Sequence, residues 1–169
     1  SGKTSLTEVL LYRSGAISRQ GRVEDGSTVS DWDEEEQRRG ISINLSVTPI
    51  NHGQCRLNLL DTPGYLDFVS EVVSGLHASE SALILIDGVA GAEVGTELAW
   101  DRVVEMDKPR MFFVNKMDRE NASFEKAVSS LQEAMVGSTI LPLHLPIGEA
   151  EALKGIVSLV SMKAYMGAD

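Results

Sequence analysis

Leu6, Val9, Leu10 and Tyr12 recur at helical spacing in TSLTEVLLYRS, which predicts a helix over residues 4–14 that stops near Gly15. The pattern then fades. SRQGRVEDGSTVSDWDEEEQRRG, residues 18–40, carries little periodicity, so a long loop or mobile segment is expected there. ISINLSVTPI at 41–50 and QCRLNLLD at 54–61 read as strands, with Asn51-His52-Gly53 turning the chain between them. SALILID at 81–87 and RMFFVNKMD at 110–118 are compact apolar runs, the form taken by strands buried on both faces of a parallel sheet. Helix-length segments lie near 66–79 and 93–106, and a third, 121–136, follows the last of these strands. Strands alternating with helices predict a doubly wound α/β sheet. After Gly137 the composition shifts to LPLHLPIGEAEALKGIVSLVSMKAYM, so residues 1–136 are expected to form one body and 137–169 to open a separate subdomain.

Composition changes this picture only at its margins. The chain has 169 residues, 43% of them hydrophobic and 24% charged, enough for one globular domain with a core. One cysteine allows no internal disulfide, which fits a reducing compartment. Its longest apolar run is far too short to span a bilayer. A formal charge of -10 opposes direct contact with naked nucleic acid, so no direct DNA binding is expected. The chain begins SGKT without a methionine and ends AYMGAD, and a fragment of a longer protein is the expectation. His52, His77 and His144 share no ligand spacing with Cys55, so a zinc site is not expected.

Three short motifs bring in chemistry. SGKTS matches the second half of the phosphate loop G-x-x-x-x-G-K-[ST]. In such a loop Gly2 lets backbone amides close on phosphate, Lys3 reaches the outer phosphates and the Thr4 hydroxyl ligates Mg²⁺, with Ser1 and Ser5 flanking them. Asp61-Thr62-Pro63-Gly64 closes a predicted strand, where a carboxylate can hold Mg²⁺ through water and the Gly64 amide can meet a terminal phosphate. Asn115-Lys116-Met117-Asp118 closes another, and a carboxylate at Asp118 can accept both edge donors of guanine, a selection worth roughly 1–3 kcal/mol. Asn115 would brace neighbouring loops, and the Lys116 stem would lie along the base. Taken singly, the first motif also reads as a helix start capped by Ser1 or Thr4, and the second as a plain turn. Their order, with the last two at the carboxyl ends of apolar strands, selects a GTP-binding domain.

The chain resembles, over essentially its whole length, the GTPase domain of bacterial elongation factor G, the ribosomal translocase. RVEDGSTVSDWDEEEQRRGISI at 22–43 is similar to that family's first switch region, DTPGYLDF to its second, and NKMDRENASF to its guanine loop. LPIGEAEALKGIVSLVSMKA at 145–164 is similar to the start of its characteristic insert. The resemblance implies a P-loop NTPase fold, GTP and GDP with Mg²⁺ as ligands, the ribosome as partner and the cytoplasm as location. It implies a partial GTPase core at 1–136 and the insert from 137 onward. It also implies that the family's first strand, between those ending at Asp61 and Asp87, is missing. Truncated so, the chain alone is expected to bind nucleotide weakly and to be inactive. Ser42 stands where the family has a threonine closing on Mg²⁺, so Thr4, Ser42 and Asp61 are the implied metal ligands.

Tyr65 stands where the family has a histidine that positions the hydrolytic water. A free imidazole titrates near ~6.5 and a free phenol near ~10, so a phenol is a poor general base at neutral pH. Phosphoryl transfer depends mainly on positioning and charge stabilisation, so an orienting hydroxyl can still serve. Lys3, Gly64 and Tyr65 are therefore the expected catalytic set. Two other readings stay open beside the translocase: a slow or non-hydrolysing GTP-dependent regulator on the ribosome, and a tetracycline-type ribosomal-protection protein.

Overall fold

The computed structural model describes residues 1–167; Ala168 and Asp169, the last two positions of the expected insert, lie outside the described residues. In chain order the elements are α1 (Lys3–Arg13), α2 (Glu34–Arg39), β1 (Ser46–His52), β2 (Cys55–Asp61), a 3-10 turn (Leu66–Phe68) and α3 (Val69–Ala78). Then follow β3 (Ala82–Asp87), α4 (Val94–Glu105), β4 (Arg110–Asn115) and α5 (Phe124–Ala134). The last are β5 (His144–Ile147), a second 3-10 turn (Ala150–Ala152), β6 (Gly155–Ser158) and β7 (Lys163–Met166). The class is α/β. Among the described residues the strands form three sheets, β1-β2, β3-β4 and β5-β6-β7, rather than one continuous sheet. The chain divides into two compact units, one of Gly2–Ala82 with Arg102–Pro109, the other of Ser1, Leu83–Asp101 and the residues from Arg110 onward.

In the unit containing Gly2–Ala82, α1 buries Thr4, Thr7, Glu8 and Leu11. The apolar set that marks this helix in the sequence is not its inner face; Tyr12 is exposed. The buried stripe is polar because Glu8 anchors backbone there. Its carboxylate, 0% exposed, accepts the backbone N–H groups of Gly21 and Val29 at 2.9 and 2.5 Å, which pins the segment that follows the helix. Gly15 follows the C-terminus with φ of 73°, a left-handed value that glycine takes at little cost.

Within the stretch expected to be loop, α2 forms without any apolar periodicity. Asp33 and Glu36 make a reciprocal capping box, and Arg38 and Arg39 both pair with Glu35 one turn back. β1 starts at Ser46 rather than 41 because the N–H groups of 43–45 go to carboxylates instead of a neighbouring strand. In the antiparallel β1–β2 pair, Ser46 faces Asp61 and His52 faces Cys55. The turn is therefore Gly53-Gln54, with Asn51 and His52 still in the strand. α3 sits close at Gly75: a Cβ there would lie 3.0 Å from Thr62 Cγ2 and 3.2 Å from Leu45 Cδ1 and press on both side chains.

β3 and β4 are bonded start to start, within the first unit, and end to end, within the other, as parallel strands are. Ala82 N–H donates to Pro109 O at 2.9 Å and Gly88 N–H to Asn115 O at 2.8 Å. β3 buries Ile84, Leu85 and Ile86, but β4 leaves Arg110, Met111 and Phe113 exposed. The apolar runs predict burial on both faces for both strands; β4 pairs only with β3 among the described residues, and such a small sheet is not covered on both sides. Trp100 of α4 stacks on Phe112 at 5.3 Å, with the Arg110 guanidinium 4.5 Å from the Trp100 ring. α5 places Ala127 and Leu131 in the core.

Candidate functional site

Gly2 caps α1 in a left-handed conformation, φ 88°, a backbone state that a side chain would strain. The next two residues point their polar atoms at β2 and the turn beyond it. A Cβ on Gly64 would lie 2.8 Å from Lys3 Nζ, so the glycine leaves room for the ammonium. Burial lowers the Lys3 pKa, and the nearby Asp61 carboxylate partly restores it.

Asp61 is buried at the end of β2, and burial pushes its pKa up to about 6, with the Asp31 charge adding to that. The Thr4 hydroxyl, the Lys3 ammonium and the Ser30 hydroxyl pull it back down. Its Oδ2 is buried without a hydrogen-bond partner. Beside it, the Thr4 hydroxyl lies 3.0 Å from that of Ser42, and Ser42 donates to Asp31 Oδ1 at 2.7 Å. Thr28 donates to Asp31 Oδ2 at 3.2 Å. Two carboxylates and four hydroxyls, those of Thr4, Thr28, Ser30 and Ser42, therefore crowd one spot, with one carboxylate oxygen orphaned.

That oxygen set suits Mg²⁺, a hard cation that keeps several waters and takes few protein carboxylates. No group of three or more His, Cys, Asp or Glu side chains placed to hold a metal occurs among the described residues. Thr4, Ser42 and Asp61, the three implied ligands, do come together. Asp31 belongs with them too, although its place in the acidic run Asp31, Asp33 and Glu34–Glu36 reads as solvated loop. The signal available in the sequence was Asp31-Trp32 lying eleven residues before Ser42, but nothing in spacing alone folds that segment back.

Of the remaining motif residues in this unit, Pro63 is buried, Thr62 half-buried and Ser5 exposed. Tyr65 opens the 3-10 turn, is 56% exposed, and its hydroxyl makes no hydrogen bond among the described residues.

The Asn115–Asp118 loop lies in the other unit. Asn115 Nδ2 donates to the Ser1 carbonyl at 2.9 Å, and the Asn115 carbonyl accepts from Gly88. Lys116 takes φ of 59°, held there by an ion pair with Asp87. Met117 is buried; a Cβ on Gly88 would lie 2.9 Å from its sulfur. Asp118 is exposed at the loop end. Burial raises the Asp87 pKa, but the Lys116 ammonium and the Val89 and Ala90 N–H groups outweigh it and hold it below the usual carboxylate range.

The chain is similar to known proteins over nearly its whole length. The family model of the elongation factor Tu GTP binding domain matches residues 1–166. The chain is 40% identical over 165 residues to elongation factor G of Mycoplasma pneumoniae, covering 98% of this chain and 24% of that protein. Over 164 residues it is 40% identical to elongation factor G of Chlamydia caviae, covering 97% and 24%. A crystal structure from Thermus thermophilus superposes with a TM-score of 0.92 at 37% identity, covering 99% of this chain and 25% of that one. The chain thus spans about a quarter of the length of these relatives.

Proposed function

Because the chain belongs to the family of elongation factor Tu GTP-binding domains, we propose that it binds GTP and GDP with Mg²⁺ and acts as the GTPase domain of an elongation factor G-like ribosomal factor in the cytoplasm. One observation carries the reading: Lys3, Thr4, Ser42 and Gly64 gather around a buried Asp61 whose Oδ2 has no partner. The fold that fits this site is the P-loop doubly wound sheet, with 1–136 as a partial core and 137–169 opening the insert.

Ser1, Gly2, Lys3, Thr4 and Ser5 form the phosphate loop in this reading. Burial strengthens the field of the Lys3 ammonium at the outer phosphates, because less water screens it. Thr4, Ser42 and Asp61 hold the metal, with Asp31 fixing the Ser42 hydroxyl. Bound there, Mg²⁺ neutralises charge on the outer phosphate oxygens. Thr62 and Pro63 shape the turn that offers the Gly64 N–H to the terminal phosphate. Asn115, Lys116 and Met117 form the loop that presents the Asp118 carboxylate to guanine. Tyr65 supplies an orienting hydroxyl for the attacking water, without the basicity of an imidazole.

A second reading, a ribosome-associated regulator that hydrolyses GTP slowly, draws on the exposed and unbonded Tyr65 side chain. GTP turnover by the intact protein and its Tyr65→His variant, with and without ribosomes, separates the two. Strong stimulation of the unsubstituted protein supports the translocation factor. A response confined to the variant, by about 10²–10⁴-fold, supports the slow switch. No GTP binding by either protein overturns both.

A further inference from the structure

Residues 41–45 pass beside Thr4 outside any helix or strand, yet their backbone is fastened. Ile43 and Asn44 N–H both donate to Glu36 Oε1 at 2.8 Å. Asp33 N–H donates to the other oxygen, Oε2, at 3.1 Å. Glu36 is 1% exposed, and every bond it makes among the described residues is to an uncharged group. One buried carboxylate therefore ties the start of α2 to the segment beyond its end. Ser42 is caught inside this closed ring, one residue before the first tie, with its hydroxyl 3.0 Å from that of Thr4.

We propose that Glu36 is a positioning residue whose carboxylate holds the Ser42 hydroxyl opposite Thr4, ready for a Mg²⁺-bound nucleoside triphosphate. Glu36 itself touches neither nucleotide nor metal. The inference rests on the GTP and Mg²⁺ reading above.

The chemistry requires a carboxylate. Ionised, it offers two acceptor oxygens and no donor, and here both oxygens are taken by N–H groups from opposite ends of the ring. An amide of the same size has one acceptor oxygen. Glu36→Gln must turn its NH₂ toward either Asp33 N–H or the Ile43 and Asn44 pair, leaving donors face to face. The ring then opens at one end. Because Ser42 lies inside the ring, its backbone is released and its hydroxyl is held only through Asp31 and Thr4, whereas Thr4, on α1, keeps its own place.

The test uses the intact protein, its Glu36→Gln and Ser42→Ala variants, and the double variant. The Mg²⁺ concentration needed to bind a fluorescent non-hydrolysable GTP analogue is measured, with the matching GDP analogue alongside. Trypsin cleavage after the exposed Arg38 and Arg39 reports on the ring separately. Ser42→Ala, which removes an implied ligand, is expected to need at least about tenfold more Mg²⁺ for the triphosphate, and Glu36→Gln about tenfold more, a usual cost of disturbing a group behind a metal ligand. The diphosphate is expected to change little, and the double variant to be no worse than Ser42→Ala. Trypsin is expected to cut Glu36→Gln faster than either the unsubstituted protein or Ser42→Ala. Additive losses in the double variant, or equal losses for both nucleotides, would show a general structural role and overturn the proposal. If Glu36→Gln does not fold, amide exchange in the unsubstituted protein decides. Protected Ile43 and Asn44 amides support the ring, and exchange at open-loop rates refutes it whether or not nucleotide binds. Absence of triphosphate binding by the unsubstituted protein removes the GTP reading, and this inference with it.

Discussion

Asp87 and Lys116 meet at the ends of neighbouring strands, where the Lys116 backbone is left-handed and the Asp87 carboxylate also accepts the Val89 N–H at 3.1 Å. The pair compensates a strained loop, and it carries a pH signature. Since the folded Asp87 pKa is lowered, the folded protein holds fewer protons than the unfolded chain just below the ordinary carboxylate range. The stability it supplies is present above about pH 4 and is lost as pH falls through the folded value. Asp87→Asn can keep the Val89 bond but turns an amide toward the ammonium. It is expected to cost about 1–2 kcal/mol at pH 7. Urea unfolding of both proteins at pH 7 and pH 3 checks this: the gap should narrow at the lower pH, and an unchanged gap would refute it.

Helix α5 shows how an element can depend on a residue far along the chain. Ser123 precedes it without a side-chain cap, and the Phe124 N–H is taken by Glu149 Oε1 at 2.8 Å. Glu149→Ala leaves that amide without its acceptor and is expected to cost about 0.5–2 kcal/mol, read as a lower denaturation midpoint. No change in midpoint would mean that water replaces the carboxylate at no cost. Such long-range polar ties explain what the sequence leaves illegible. α1 announces itself by apolar spacing, β2 by its strand-like composition, β3 and β4 by apolar runs and α3, α4 and α5 by segments of helix length, and the three motifs announce the phosphate and guanine loops. α2 does not, because EEEQRR has no apolar residue and is held by a capping box and charge pairs. For the same reason β1 is overextended by its apolar pattern: residues 41–45 read as strand, but their N–H groups answer to Glu36 and Glu71. Asp31 escapes notice because an acid among acids gives no sign of being folded under.

For the molecule as a whole, charge and exposed apolar surface act against each other. A formal charge of -10 keeps copies apart, yet Leu83, Met111 and Phe113 lie exposed on a two-stranded sheet with unpaired edges among the described residues. The chain of this length is expected to self-associate as its concentration rises, the more so as salt screens its charge, and Phe113→Lys is expected to reduce this. Sedimentation across concentration and salt reads it directly. A monomer under every condition would contradict it.

The Leu45 N–H donates to Glu71 Oε2 at 2.9 Å, and Glu71 stands in the first turn of the helix that follows Asp61-Thr62-Pro63-Gly64. Any displacement of α3 must break that bond or carry Leu45 along, and Leu45 is three residues from the hydroxyl that meets Thr4. Linkage makes such a tie symmetrical: a ligand that favours one arrangement of 41–45 favours one arrangement of α3 by the same factor. A contact made on the outside of α3 is then felt at Ser42 as strongly as Ser42's own ligand is felt on α3.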